Sequence, residues 1–191
     1  MAAVAGAVGA GGATQARREM LWHPAYVGLG SNLDQPAMQV RRALEALATL
    51  TRTRLIVQSA LYGSKPWGMT EQPDFVNAVA ALLTQLPAEQ FFKTLQTLET
   101  QLGRSPTRVQ YGPRRIDLDL LVFGQEQIDS VELKVPHPGI VQRNFVLYPL
   151  LEVAPDLLIP GSARVAELAS RLPSSGLWRL DKRPLPLAHG S

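Results

Sequence analysis

Asp117 and Asp119 stand two residues apart inside the otherwise apolar run from Ile116 to Phe123. If that run is a strand, its side chains alternate, so both carboxylates project from one face while Ile116, Leu118 and Leu120 project from the other. Two carboxylates with Cα atoms roughly 7 Å apart repel each other. They can converge on a pair of divalent cations about 4 Å apart that leave coordination sites for phosphate oxygens. The competing reading is a solvated strand face, against which stands the poor strand propensity of Asp. Arg114 and Arg115 immediately precede the pair, and cations beside a metal-carboxylate site suit a polyphosphate. Of these two, Arg115 is the one expected to be a plain surface charge. Arg104, Arg108 and Arg143 gather near the same motifs instead of forming a basic helix or tail, a distribution that fits a phosphate pocket better than a nucleic-acid face.

A second group of residues suits a flat heteroaromatic ligand. Trp67 and Phe75 offer ring faces, and Asn77 offers paired donor and acceptor groups for a ring edge. Phe75 has an equal claim as simple core. Asn77 lies within FVNAVAALL, where a buried amide must be satisfied by something. In GLGSN, residues 28–32, the third glycine of a dinucleotide fingerprint is missing, and the sequence contains no GxxxxGK[ST] loop. Gly30 then either lets a flat ligand approach the backbone or serves a plain turn. His137, in VPHP and followed by Arg143, either holds phosphate oxygens or caps its own turn. His23 and His189 lie near the ends and are taken as incidental.

The elements that must position these residues follow from periodicity. Ala25 to Leu29 reads as a strand ending in a Gly-Ser-Asn turn. Pro36 opens a helix whose apolar stripe is Val40, Ala43, Leu44, Leu47 and Leu50. Leu55 to Tyr62 and Phe75 to Leu83 read as strands separated by a long loop. Pro87 opens a second helix with a stripe of Phe91, Phe92, Leu95, Leu98 and Leu102, leaving Gln96 and Glu99 on another face, and Gly103 ends it. Ile116 to Phe123 is the last main strand, and Phe145 to Val153 is an apolar helical stretch. The resulting order predicts an α+β fold, a ferredoxin-like β-α-β-β-α-β sandwich with helices on one face of an antiparallel sheet and long active-site loops on the other.

Composition is that of a globular chain: 46% hydrophobic, 18% charged, net charge +3 and a pI near 9.5. At 191 residues one domain is expected, over 23–183, with a disordered Ala/Gly-rich extension at 1–22 and a mobile tail at 184–191. No run approaches the roughly 18 to 20 apolar residues that span a bilayer, and without cysteine there is neither a disulfide framework nor a thiolate metal site.

The blocks GLGSN at Gly28, QPDFVNAV at Gln72, the helix end from Glu99 to Arg104, GPRRIDLDLLVFG at Gly112 and VPHP to PLLEVAPDL together resemble one family, the 6-hydroxymethyl-7,8-dihydropterin pyrophosphokinases, from about Tyr26 to Leu158. The resemblance implies transfer of pyrophosphate from ATP to the pterin hydroxymethyl oxygen, with AMP leaving. It implies that Asp117 and Asp119 bind two Mg²⁺ ions. Gly30, Ser64, Trp67, Phe75, Asn77 and Phe145 would frame the pterin, with Lys65 adding backbone contacts. Gln96, Glu99, Arg104, Arg114, Leu120, His137 and Arg143 would hold ATP. It also implies a cytoplasmic monomer in folate biosynthesis, without membrane or nucleic-acid partners.

Three positions depart from the family pattern. Pro106 stands where a second loop arginine is common, so Arg108 is the candidate substitute and joins Arg104, Arg114, Asp117 and Asp119 as a catalytic candidate. Pro138 replaces a tyrosine, and Tyr111 replaces a loop tryptophan. Two other readings compete: an RNA-binding module, disfavoured because no RNP1-like aromatic string is present, and a different ATP-dependent kinase, which would release ADP.

Overall fold

The computed structural model describes residues 21–67, 71–104, 112–183 and 185–186. The expected extension and tail therefore fall largely outside the described residues. Trp22, at the end of the expected extension, is described: its ring lies 4.6 Å from the Arg54 guanidinium carbon.

Strand β1, His23–Ser31, alternates buried and less buried positions along its length, as a strand between two unlike layers must. Helix α1, Pro36–Ala48, carries its proline in the first turn and buries Val40, Ala43, Leu44 and Leu47. The strand expected over Leu55 to Tyr62 is two strands, β2 (Thr53–Gln58) and β3 (Tyr62–Ser64). Both pair with β4, Phe75–Thr84. The interruption falls at Ser59, whose hydroxyl accepts the Val79 N–H at 3.0 Å, so a side chain satisfies the backbone where the ladder lapses. Helix α2, Ala88–Gln101, buries Phe91, Leu95 and Leu98 and is followed by Gly103 at φ +88°, a conformation that favours glycine.

Strand β5 is Asp117–Phe123. A small hairpin of β6 (Ile128–Asp129) and β7 (Lys134–Val135) leads through a 3₁₀ turn at Ile140–Gln142 into α3, Asn144–Val153. The chain continues with α4, Val165–Ser170, and β8, Leu177–Arg179. The sheet order is β5-β1-β4-β3-β8, with β2 also on β4, and every pair is antiparallel. This is the α+β sandwich expected from the element order, extended by one C-terminal strand.

Two cores sandwich the sheet. On one face Leu47 of α1 and Phe91 of α2 pack with Val27, Leu29, Leu118 and Phe123 of the sheet. On the opposite face, where long loops were expected, α3 and α4 also pack, burying Leu147, Leu150 and Leu168 against Val79, Leu121 and Val122. Helix α3 is apolar on nearly all sides, and its buried residues include Pro149, which suits a helix wrapped by protein rather than lying at a surface. It covers only part of that face. The remainder, over the ends of β1, β4 and β5, is the cavity described next.

Candidate active site

The cavity measures about 710 Å³ and opens over the carboxylate-bearing end of the sheet. Pairing register organises its floor. Gly30 is the cross-strand partner of Asn77 on one side and of Asp117 on the other, and Gly28 likewise faces Val79 and Asp119. Side chains in one register row share a face, so Asn77 and Asp117 flank a residue that has no side chain. A Cβ on Gly30 would sit 3.4 Å from Asn77 Oδ1, which places the amide oxygen over the glycine.

One end of the cavity is aromatic. Trp67, Phe75 and Phe145 line it together with Ser64, Lys65 and Asn77. The Asn77 amide is buried. Its NH₂ donates to Ser64 Oγ at 2.9 Å and to the Tyr62 carbonyl at 3.5 Å, which leaves Oδ1 as the group available to a ligand donor. Arg143 joins this end to the charged one: its guanidinium carbon lies 5.2 Å from the Trp67 ring and 5.9 Å from that of Phe145.

The other end is charged. Asp117 and Asp119 line the cavity while Ile116, Leu118 and Leu120 are buried in the core under α1 and α2, as strand alternation requires. Asp117 is paired with Arg114 and, at 2.8 Å, with Arg104 Nη2. Burial opposes its charge, but Arg114 and then Arg104 outweigh that and hold its carboxyl below the usual range. Asp119 has the opposite environment. Burial, followed by the neighbouring Asp117, pushes it up to about 7, against a partial offset from Arg143. Two carboxylates one pleat apart are thus driven in opposite directions, a pattern typical of functional sites.

Glu99 does not line the cavity. Its buried carboxylate accepts the Leu118 N–H at 2.6 Å and pairs with Arg104, so it braces the arginine that reaches Asp117. Burial raises its pKa. Gln96, three residues earlier on α2, is exposed and outside the cavity lining, and the Leu120 side chain points into the opposite core. Of the expected ATP set, Arg104, Arg114, His137 and Arg143 line the cavity. His137 also caps its own turn, its Nδ1 accepting the Gly139 N–H at 3.0 Å. Burial, reinforced by Arg143, pulls its pKa down to about 4, so the ring is neutral near pH 7, with its proton on Nε2. Arg108, Pro106 and Tyr111 lie outside the described residues.

Two features escaped the reading of the sequence. Arg115, expected to be a surface charge, lines the cavity and sits 3.5 Å from Asp34. Asn32 is buried and ties three segments together. Its amide donates to Gln72 Oε1 at 3.0 Å and to the Pro73 carbonyl at 3.2 Å, and its Oδ1 accepts the Arg114 N–H at 2.8 Å. A polar amide closing an apolar strand was the signal available for it.

The family model of 7,8-dihydro-6-hydroxymethylpterin-pyrophosphokinase matches residues 26–155, which include every residue lining this cavity. The chain belongs to that family. A Pseudomonas aeruginosa protein named 2-amino-4-hydroxy-6-hydroxymethyldihydropteridine pyrophosphokinase is 46% identical over 155 residues, 81% of this chain and 95% of that one. A Haemophilus influenzae protein of the same name is 40% identical over 157 residues, 82% of this chain and 98% of the relative. Among solved structures, an HPPK-DHPS in complex with substrates aligns at a TM-score of 0.62 and 11% identity, over 78% of this chain. Wild-type Plasmodium falciparum HPPK-DHPS aligns at 0.59 and 13%. This chain spans 43% and 41% of those longer proteins, and the likeness concerns the fold. As a member of the pyrophosphokinase family, the chain transfers a pyrophosphoryl group to hydroxymethyldihydropterin in folate biosynthesis.

Proposed function

We propose that the aromatic end of the cavity binds the pterin and the charged end binds Mg²⁺-ATP, with the register row Asn77–Gly30–Asp117 as the observation that carries the assignment. Neighbouring strands lie about 4.8 Å apart, so Asn77 and Asp117 stand roughly 10 Å apart on one face. That separation suits a ligand read at its ring edge by Asn77 and reacting at its far substituent near the carboxylates. Gly30 leaves the intervening backbone open to the flat ring. Trp67, Phe75 and Phe145 supply ring faces, Asn77 Oδ1 accepts from a ring N–H, and Ser64 holds the amide in that orientation, with Lys65 contributing through its backbone.

The donor set fits magnesium. Among the described residues no group of three or more His, Cys, Asp or Glu is placed to hold a metal ion. A pair of carboxylates is what Mg²⁺ takes when waters and substrate phosphates complete its shell. Asp117 and Asp119 would hold two such ions, which when bound polarise phosphoryl oxygens and neutralise charge developing on the phosphates. At an effective dielectric near 20, unit charges about 4 Å apart interact by roughly 4 kcal/mol, so dications offset the repulsion between the two carboxylates.

The remaining chemistry is positioning and electrostatics. Arg104 and Arg114 bring positive charge to the phosphates, with Glu99 bracing the Arg104 guanidinium and Asn32 anchoring the Arg114 backbone. Arg143 stands where the aromatic and charged ends meet and would add positive charge to the phosphates there. Neutral His137 donates from Nε2 to a phosphate oxygen. Gln96 and Leu120, which lie away from the cavity lining, would reach ATP through a change in α2 and through the backbone, respectively. Arg108 remains the candidate loop cation. The reading includes a cytoplasmic monomer, for which sedimentation gives the mass.

Product identity tests the proposal. Protein mixed with ATP, Mg²⁺ and 6-hydroxymethyl-7,8-dihydropterin should yield AMP and the pterin diphosphate in equal amounts. Release of ADP, or turnover unaffected by EDTA, would contradict it.

A further inference from the structure

Strand β8 lies beyond the last residue covered by the family match, yet it forms one wall of β3, the strand that carries Ser64. Register places Leu177 opposite Ser64, Trp178 opposite Gly63 and Arg179 opposite Tyr62. The ladder extends at both ends: Lys65 N–H donates to the Gly176 carbonyl at 3.0 Å, and Leu180 N–H to the Leu61 carbonyl at 2.9 Å. Without β8, β3 would be a three-residue edge strand paired on one side only, the kind of element that frays.

Trp178 makes this pairing specific. A Cβ on Gly63 would lie 2.2 Å from the indole, so the ring rests directly on the glycine backbone and no other residue leaves it room. The Lys65 ammonium stands 5.8 Å from the same ring. Toward α3, Arg179 pairs with Glu152 of that helix at 3.3 Å, and Glu152 accepts the Tyr62 hydroxyl at 2.8 Å. Strand β8 therefore joins β3, which carries Ser64, to α3, which carries Phe145.

We propose that Trp178, by locking β8 onto Gly63, is a positioning residue for pterin recognition: it holds β3 so that Ser64 keeps the Asn77 amide oxygen turned to the cavity. This rests on the assignment of the aromatic end to the pterin. Asn77 has two anchors for its NH₂, the Ser64 hydroxyl and the Tyr62 carbonyl, and both belong to β3. A shift of β3 would release the amide, whereas the arginines around Asp117 on β5 lie three strands away and would keep their places.

The test is calorimetric titration of the pterin, with a non-hydrolysable ATP analogue and Mg²⁺ present, and separately of the analogue. Trp178→Ala should weaken the pterin about tenfold, the equivalent of one lost hydrogen bond of about 1.4 kcal/mol. The affinity for the analogue should stay within about twofold, and Trp178→Phe should recover most of the loss. In a Ser64→Ala background the further effect of Trp178→Ala should shrink to less than about twofold, because both changes act by loosening the same Asn77 amide and the 2.9 Å Ser64 contact is the shorter of its two anchors. Gly63→Ala, which must push the indole away, should reproduce the pattern and carries the test if Trp178→Ala does not fold. Equal weakening of both ligands, unchanged pterin affinity, or fully multiplicative effects of the two substitutions would overturn the inference. A wild-type protein that binds no pterin would overturn the assignment of the site, and this inference with it.

Discussion

Arg104 reaches Asp117 with Nη2 at 2.8 Å while the same guanidinium contacts the buried Glu99 carboxylate. One arginine is thus shared between a carboxylate that braces it from α2 and one that faces the cavity. Glu99 also accepts the Leu118 N–H at 2.6 Å, directly between the two aspartates in sequence, so it registers α2 against β5.

Glu99 should therefore matter to stability through its acceptor and to ligand binding through its charge. Glu99→Ala leaves a buried N–H without a partner and is expected to cost about 1–3 kcal/mol. Glu99→Gln keeps an acceptor, so it should cost less while still loosening Arg104 and weakening the ATP analogue. Urea unfolding of the two variants separates these effects; equal losses of stability would show that the Leu118 contact is not the important one.

Asn77→Ala should weaken pterin binding far more than binding of the ATP analogue, by about tenfold to a hundredfold if the buried amide has the ring-edge role proposed for it. Calorimetry with each ligand measures it, and equal weakening of both would assign Asn77 to the scaffold.

His137 gives a pH signature. Its folded pKa lies near 4, below the ordinary histidine value of 6.5, because burial and then Arg143 disfavour the charged ring. Between those values the unfolded chain binds the extra proton, so this contribution is intact above about pH 6.5 and is lost as pH falls toward 4. Thermal unfolding of wild type should therefore fall more steeply between pH 6.5 and 4 than that of His137→Asn. Parallel curves would mean that the ring is not held neutral by its surroundings.

Much of this site was legible because short-range rules governed it. Strand alternation sends Asp117 and Asp119 to one face and Leu118 and Leu120 to the other, and helical spacing marks the buried stripes of α1 and α2. What depended on distant partners was not legible. Ser59 breaks one expected strand into two because its hydroxyl meets Val79, twenty residues away. Arg115 looked like a surface charge because nothing local shows that it would lie across Gly103 and beside Asp34. Strand β8 is not evident in the sequence because LWR is too short to show a period, and its meaning lies in Gly63 and Glu152. Gln96 and Glu99, paired by spacing, part in the fold because only Glu99 faces β5.

The two carboxylates are the centre of the account, and single-turnover formation of AMP tests them most directly. Asp117→Ala and Asp119→Ala, each first shown to remain folded, should slow the chemical step by at least about a thousandfold, which corresponds to roughly 4 kcal/mol of transition-state stabilisation. Near-normal AMP formation by either folded variant in Mg²⁺ would contradict the assignment of that carboxylate to the metal-bound phosphates.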